Sequence, residues 1–289
     1  MSVVSGKGGK LSFGGSTVST LGSWKINETA KNAAHAAGNT QGAKTVLSGV
    51  RDWSGTAQVY NHNNAVTPGA GLAMIGYNGA DESSGNIVVT DLSIDCNLAG
   101  GEWITQSIGF AGNGALSHAT ADSIATDSTK PPKVSAIGAK ALWTPYVAGT
   151  AGSEAAIPDV EKWSLKIAAD VSAYVSSSTA PWTGRATGSS VLSATFSLTF
   201  LQGAVSYLTA SATRMNTGAF GIMKLYVNAS EYWLLDQVCI SSNNDLGPDV
   251  EGGDYNRVTL TGQWTNYALV SGTMTAGHLT NPATVALWP

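Results

Sequence analysis

The stretch from Leu192 to Phe200 constrains this chain more than any other. Leu192, Ala194, Phe196, Leu198 and Phe200 alternate with Ser193, Thr195, Ser197 and Thr199. Side chains leave a β-strand alternately to opposite faces, so this pattern describes a strand with one dry side and one wet side. Arg257 to Trp264 repeats it, with Val258, Leu260 and Trp264 set against Thr259, Thr261 and Gln263, and Gly262 in an apolar slot. Further strands are expected at 24–27, 53–60, 86–94, 103–110, 163–167 and 232–240. Helical signals are weak: Thr29 to Ala37 is rich in alanine but has no amphipathic stripe and runs into Gly38, so a loop or short helix is expected there. The implied fold class is all-β, a sandwich or half-open barrel, with long polar connections from Asn27 to Arg51 and from Ala168 to Val191. Loops of that length in a compact domain usually carry a function.

The strands fall into two sets. Trp24-Lys25-Ile26 aligns with Trp163-Ser164-Leu165, and at the same spacing Trp53-Ser54-Gly55-Thr56 aligns with Leu192-Ser193-Ala194-Thr195, which makes the two long loops equal in length. Further on, Leu92 and Ile94 align with Val238 and Ile240, Asn97 with Asn243, Ile104-Thr105 with Val258-Thr259, and Phe110 with Trp264. Ordered matching of four strand-like segments points to a tandem repeat. The expected division is a first domain over 1–116, a linker over 117–133 ending in Pro131-Pro132, and a second domain over 134–289 with a C-terminal extension.

Charged residues make up 12% of the 289 residues, about half the usual share. Hydroxyl and amide groups are cheaper to bury against a neighbour than ammonium or carboxylate groups, so such a surface suits a protein largely covered by partners. The net charge of −4 and the absence of Lys/Arg clusters argue against a protein that grips nucleic acid. Cys96 and Cys239 have no metal-binding or redox spacing and read as free thiols in a reducing compartment. The opening MSVVSGKGGK lacks the apolar core of a signal peptide, and no run reaches membrane-spanning length, so assembly in the cytoplasm and no membrane insertion are expected.

Motifs for chemistry are missing. No GxSxG elbow, Gly-rich phosphate loop or zincin spacing occurs, and no carboxylate pair is singled out. His35, His62, His118 and His278 are scattered without ligand spacing. Asp236, Asp245, Asp249, Glu251 and Asp254 lack the register of a calcium loop and read as a solvated acidic turn. The expectation is a non-enzymatic chain with no cofactor and no metal. Trp24, Trp53, Trp163, Leu192 and Phe196 are the expected core anchors, because large rings on the apolar side of an alternating strand are usually packed. The nine tryptophans leave a carbohydrate-binding sandwich open as an alternative.

Gly9-Lys10-Leu11, Gly22-Ser23-Trp24-Lys25-Ile26, Asp52-Trp53-Ser54-Gly55-Thr56 leading to Tyr60, and Ile108-Gly109-Phe110-Ala111-Gly112-Asn113-Gly114 together resemble the major tail (tail-tube) proteins of long-tailed phages. The resemblance covers most of residues 7–116. The second half departs from it, since Trp-Ser-Gly becomes Leu192-Ser193-Ala194 and the Gly-Asn-Gly is lost. The resemblance implies a sandwich or half-open barrel, six of which close into a ring around a continuous β-barrel, with rings stacked into a tube that conducts the genome. Two such domains per chain imply a homotrimeric ring with pseudo-sixfold symmetry. Partners would be further copies of the chain and other tail proteins such as the tape measure, terminator and baseplate, or the chain would itself be another tail ring or baseplate component. Double-stranded DNA would pass without specific binding.

Ring closure also answers a physical problem, because an open sheet edge is an aggregation hazard unless something covers it. With about four strands per domain the ring would hold roughly twenty-four, and at ~4.8 Å spacing and ~40° tilt its backbone diameter is about 48 Å, or about 40 Å inside the side chains. Ser193, Thr195, Ser197, Thr199, Thr259 and Thr261 are the expected lumen-facing residues. The loops from Glu28 to Val50, with Glu28, Lys31, His35 and Lys44, and from Ile167 to Ser190, with Asp170, Tyr174, Trp182 and Arg185, are the expected bridges between rings.

Overall fold

The computed structural model describes residues 8–36, 43–60, 66–100, 103–126, 140–147, 150–187, 191–201, 215–227, 232–243, 257–264, 267–270, 273–276 and 279–280. Among these the regular structure is β. The first half supplies β1 (Lys10–Phe13), β2 (Ser16–Thr17), β3 (Leu21–Ala30), β4 (Ala33–Ala36), β5 (Lys44–Leu47), β6 (Arg51–Val59), β7 (Gly71–Tyr77), β8 (Glu82–Asn97) and β9 (Thr105–Ala119). The second supplies β10 (Ala141–Val147), β11 (Thr150–Ala151), β12 (Ala155–Ala156), β13 (Val160–Asp170), β14 (Ala173–Tyr174), β15 (Gly184–Arg185), β16 (Val191–Leu201), β17 (Phe220–Tyr226), β18 (Tyr232–Asn243) and β19 (Arg257–Trp264). The chain ends in three short strands, β20 (Tyr267–Val270), β21 (Thr273–Ala276) and β22 (Leu279–Thr280).

Hydrogen bonding orders the first group in space as β1-β7-β8-β9-β6-β3 and the second as β10-β17-β18-β19-β16-β13. In chain order these are the same path, strand for strand. Small irregularities coincide as well. A bulge interrupts β3 between Leu21 and Ser23, and another interrupts β13 between Val160 and Lys162. Just before each of these strands stands a non-glycine residue in the left-handed region, Thr20 at φ 56° and Asp159 at φ 50°. Gly69 and Gly218, each at φ 83°, turn the chain into β7 and β17. The alanine after each is bonded alike: Val89 donates its N–H to Ala70 at 3.0 Å, and Ile240 donates to Ala219 at 2.9 Å.

These registers correct the alignment read from sequence. Trp24 opposes Ala57, and Trp163 opposes Leu198, so Trp53 corresponds to Ala194 rather than to Leu192, and the loop before β16 is the longer one. The bulges in β8 (Val89/Asp91) and β18 (Ile240/Ser242) set Val89 over Ile240 and, through β9 and β19, Phe110 over Gly262 rather than Trp264. The two halves thus carry this tryptophan on different strands. Trp53 on β6 lies beside Gly112, where a Cβ would strike its indole, whereas the corresponding positions are Ala194 and Trp264.

The core lies under one face of the sheet. Gln106, Ile94, Leu165, Phe196, Gly262 and Ile240 stand side by side across six strands, all buried. Gly262 is required there because a Cβ would enter the Phe196 ring. Strands β1 and β7 fold over β3 and β6 to make a sandwich: the Trp24 ring lies against Gly76, and Phe13 meets Phe110 edge-on at 5.8 Å. In the second half the Trp163 indole N–H donates to the Tyr226 carbonyl at 3.1 Å. Burying a ring of this size is worth on the order of 3 kcal/mol.

Two expectations change here. Residues 29–36 do not turn helical: β3 runs to Ala30, and β4 pairs with β5, since alanines without an amphipathic stripe gain nothing from a helix; Ala37 lies outside the described residues. The linker expected from Ser117 begins inside β9, and the residues just after that strand are docked on the first half. Glu82 accepts from the Ser123 N–H at 2.8 Å and hydroxyl at 2.6 Å, Lys10 pairs with Asp122 at 2.7 Å, and Ile124 is buried. The rest of that linker lies outside the described residues, as do His62, His278, Asp245, Asp249, Glu251, Asp254 and most of the C-terminal extension.

Candidate functional site: a continuous wet face and its edges

Strand β8 is long enough to serve both halves. Along one edge its first part pairs with β7, and from Asp91 onward the same edge pairs with β13 of the second half. Strands β3, β6, β9, β8, β13, β16, β19 and β18 therefore form one uninterrupted sheet. Its outer face is polar. Ser23, Gln58, Ser107, Ser93, Lys166, Thr195 and Gln263 form one cross-strand row, and Thr105, Asp95, Ser164, Ser197, Thr261 and Ser242 form another.

Charge on this face is mixed rather than acidic, with Lys25, Lys162 and Lys166 interspersed with Asp91 and Asp95. Partial burial pushes the Asp95 carboxyl above its ordinary range. Ser193 and Thr195 are exposed, and Ser197, Thr259 and Thr261 half-buried. Thr199 differs from expectation: it is buried, sits between Lys162 and Thr259, and shares a hydroxyl hydrogen bond with Thr259 at 3.0 Å.

The junction between the halves has a second part, made by the loop after β13. Arg185 grips Asp52 with two hydrogen bonds of 2.8 Å, donates to the Gly112 carbonyl, and donates its backbone N–H to the Asn113 side chain at 2.7 Å. Arg51 stacks on Trp182 at 5.6 Å, and its carbonyl accepts from the Thr183 N–H at 2.9 Å. Trp182 and Arg185, expected to reach another ring, are instead committed inside the chain, because Asp52 and the β9 backbone offer a nearby acceptor set. Asp170 and Tyr174 of the same loop are exposed.

Among the described residues the first half shows no such clasp, Glu28 making an ion pair of 3.7 Å with His118 of β9. Among the described residues β3 pairs only with β6. Glu28, Lys31, His35 and Lys44 are exposed, as are Val46 at 59% and Leu47 at 64% on β5. Of the expected anchors, Trp53, Trp163 and Phe196 are buried, Trp24 is half-buried, and for Leu192 only its place on β16 is described. An apolar cleft of about 470 Å³ lined by Thr20, Leu21, Tyr60 and Trp103 opens beside the start of β3. No group of three or more metal-ligating side chains occurs among the described residues. Sequence reasoning missed Asp52, Arg51 and the exposed Val46 and Leu47; Asp52 and Arg185 are too far apart in the chain for any local pattern to pair them.

No known protein family and no curated protein matches the chain. Solved structures with partial similarity include two from gene transfer agent particles. One is the tail of an empty gene transfer agent particle with C6 symmetry, at 17% identity and a TM-score of 0.31, covering 38% of this chain and 93% of that one. The other is the virion of a native gene transfer agent particle, at 16% identity and a TM-score of 0.29, covering 36% and 87%.

Proposed function

We propose that this chain is a structural virion protein whose copies close into trimeric rings of six sheet units and stack into a phage tail tube. The observation that carries the reading is the internal junction: β13 joins β8 edge to edge, so the wet face runs across eight strands, and the strand corresponding to β13 in the first half lies at an edge among the described residues. A sheet that already continues from one unit to the next inside the chain is built to continue between chains, which removes the exposed backbone groups that make open edges aggregate. Taking residues 1–116 and the second half as two copies of one unit, three chains supply about twenty-four strands and a lumen of about 40 Å.

Ser, Thr, Asn and Gln side chains lining such a lumen exchange hydrogen bonds with water, and its interspersed Lys and Asp give no sustained cationic track to hold phosphate. Duplex DNA would slide. The tape measure, terminator and baseplate proteins would contact the tube inside and at its ends. Electron microscopy of concentrated, negatively stained protein tests this reading: hollow tubes or stacked rings support it, and dispersed globules at every concentration reject it.

The cleft at Tyr60 and Trp103 favours a second reading, since both aromatic side chains are exposed, at 46% and 42%, and could stack on a sugar ring. Glycan binding by a stable monomer, lost in Trp103→Ala, would support that reading.

A further inference from the structure

In the first half the segment that follows β9 lies across one row of the sheet. Lys10, Tyr77 and Glu82 stand side by side on β1, β7 and β8. Ser123 donates its N–H and hydroxyl to the Glu82 carboxylate, and Lys10 donates to Asp122, to the Ile124 carbonyl at 3.2 Å and to Thr126 at 3.3 Å. Thr17 donates to the Ala125 carbonyl at 3.2 Å, and Ile124 is 5% exposed. Residues 122–126 thus form a strap, polar toward Lys10 and Glu82 and pinned by one buried isoleucine.

The second half builds the same row. Aligning Gly69-Ala70 with Gly218-Ala219 sets Tyr77 over Tyr226. Lys10, opposite Tyr77, then corresponds to Lys140, whose carbonyl accepts from the Tyr226 N–H at 2.8 Å, and Glu82 corresponds to Tyr232. Leu116 and Ser117 of β9 oppose Gly85 and Ser84, and Leu279 and Thr280 of β22 oppose the corresponding Leu235 and Leu234. Strand β22 therefore takes the place of the last part of β9, with β20 and β21 inserted before it in the chain. Residues 281–289 lie outside the described residues and match 118–126 in length. Continued without a gap, the alignment sets Val285 at the place of Asp122, Ala286 at that of Ser123 and Leu287 at that of Ile124. The exchanges are paired. Glu82 with Ser123 becomes Tyr232 with Ala286, and where Lys10 reaches Asp122, Lys140 lies over the Tyr226 ring at 4.5 Å, itself 4.9 Å from the Tyr232 ring.

We propose that the row of Lys140, Tyr226 and Tyr232 is a docking surface and that its occupant is the segment 281–289 of the same chain, seated as 118–126 is seated on the first half. A polar strap on a polar row in one half is matched by an apolar segment for an aromatic row in the other, so burial of Leu287 against the tyrosine rings replaces the hydrogen bonds of Glu82 and Lys10. The stretch from Tyr267 onward, expected to be an extension, then completes the second unit. The surface is filled within a single chain, whether or not rings close.

The test is a Tyr232→Cys/Ala286→Cys variant in a Cys239→Ser background, kept dilute and dispersed and treated with a short bis-maleimide. Cys96 stays out of the reaction, because burial pushes its thiol up to about 12. The expected product is an internally bridged chain of monomer mass, formed about tenfold more slowly when Leu287→Asp is added. Bridges formed only between chains would give the surface to a second copy, and no bridge, or one indifferent to Leu287→Asp, would leave it to another occupant; each result overturns the proposal. In the unsubstituted chain, hydrogen exchange should be at least about tenfold slower for the amides of 284–288 than in a free peptide of the same sequence. Exchange at the free-peptide rate would overturn the proposal even if the variants failed to fold. Because the protein is dispersed throughout, failure here leaves the tube reading standing.

Discussion

Strands β3 and β13 hold the same place in the same strand path, share a bulge and a tryptophan, and differ in one respect: among the described residues β13 has a strand on each side and β3 has one. Covering the second edge takes Trp163 fully out of solvent, while Trp24 stays half-buried. The difference does not lie in the central residue. It arises because β8 extends past its bulge far enough to receive another strand, so burial at this site is set by the neighbour rather than by the strand itself.

The largest effect expected from this comparison separates the two tryptophans. Trp163→Ala should cost about 3–5 kcal/mol in urea denaturation of dispersed protein, and Trp24→Ala roughly half as much, because less of its ring is buried. Equal costs would mean that edge coverage contributes little. The clasp comes next. Asp52→Ala leaves the Arg185 guanidinium, 11% exposed, without its carboxylate and should cost about 2 kcal/mol, with the double variant Asp52→Ala/Arg185→Met recovering part of that. A double-mutant cycle with no coupling would remove the clasp from the account of the junction.

On the wet face, Thr199→Val breaks a buried hydroxyl pair and should cost about 1 kcal/mol, whereas Thr195→Val on the same strand should fall within about 0.5 kcal/mol of zero. Thermal unfolding of the two variants checks this difference. The smallest effect on the isolated chain is expected at the end of β5, where Val46 and Leu47 are exposed and Val46→Asp/Leu47→Asp should change the stability of dispersed protein by less than about 0.5 kcal/mol. A large loss there would mean that Val46 and Leu47 pack on their own chain.

Much of the fold was legible where one face is dry and the other wet. Alternation located β16 and β19 closely and the cores of β3, β6, β8, β9, β13 and β18. It missed β7 and β17 because apolar side chains stand on both of their faces: in Phe220–Tyr226, Gly221, Met223 and Leu225 are buried, while Phe220, Ile222 and Tyr226 on the other face are also apolar although exposed or half-buried. Pro145 concealed β10, since proline is usually kept out of paired strands. The strand alignment slipped by assuming loops of equal length. The residues that fix it are turn residues, Gly69-Ala70 with Gly218-Ala219 and Thr20 with Asp159, whose signal is backbone conformation and not hydrophobicity. Ser193, Thr195 and Ser197 were correctly read as facing away from the core, but the burial of Thr199 depends on Lys162 and Thr259 from two other strands, which no single-strand pattern carries.

The claim that the sheet continues between chains as it does within one is tested most directly by end-on averages of negatively stained assemblies. The account predicts hollow rings with an opening of about 40 Å and a sixfold outline that resolves into threefold symmetry, because adjacent units are alike in strand path but not in sequence. Closed discs without a lumen, or rings whose symmetry is not a multiple of three, would contradict it.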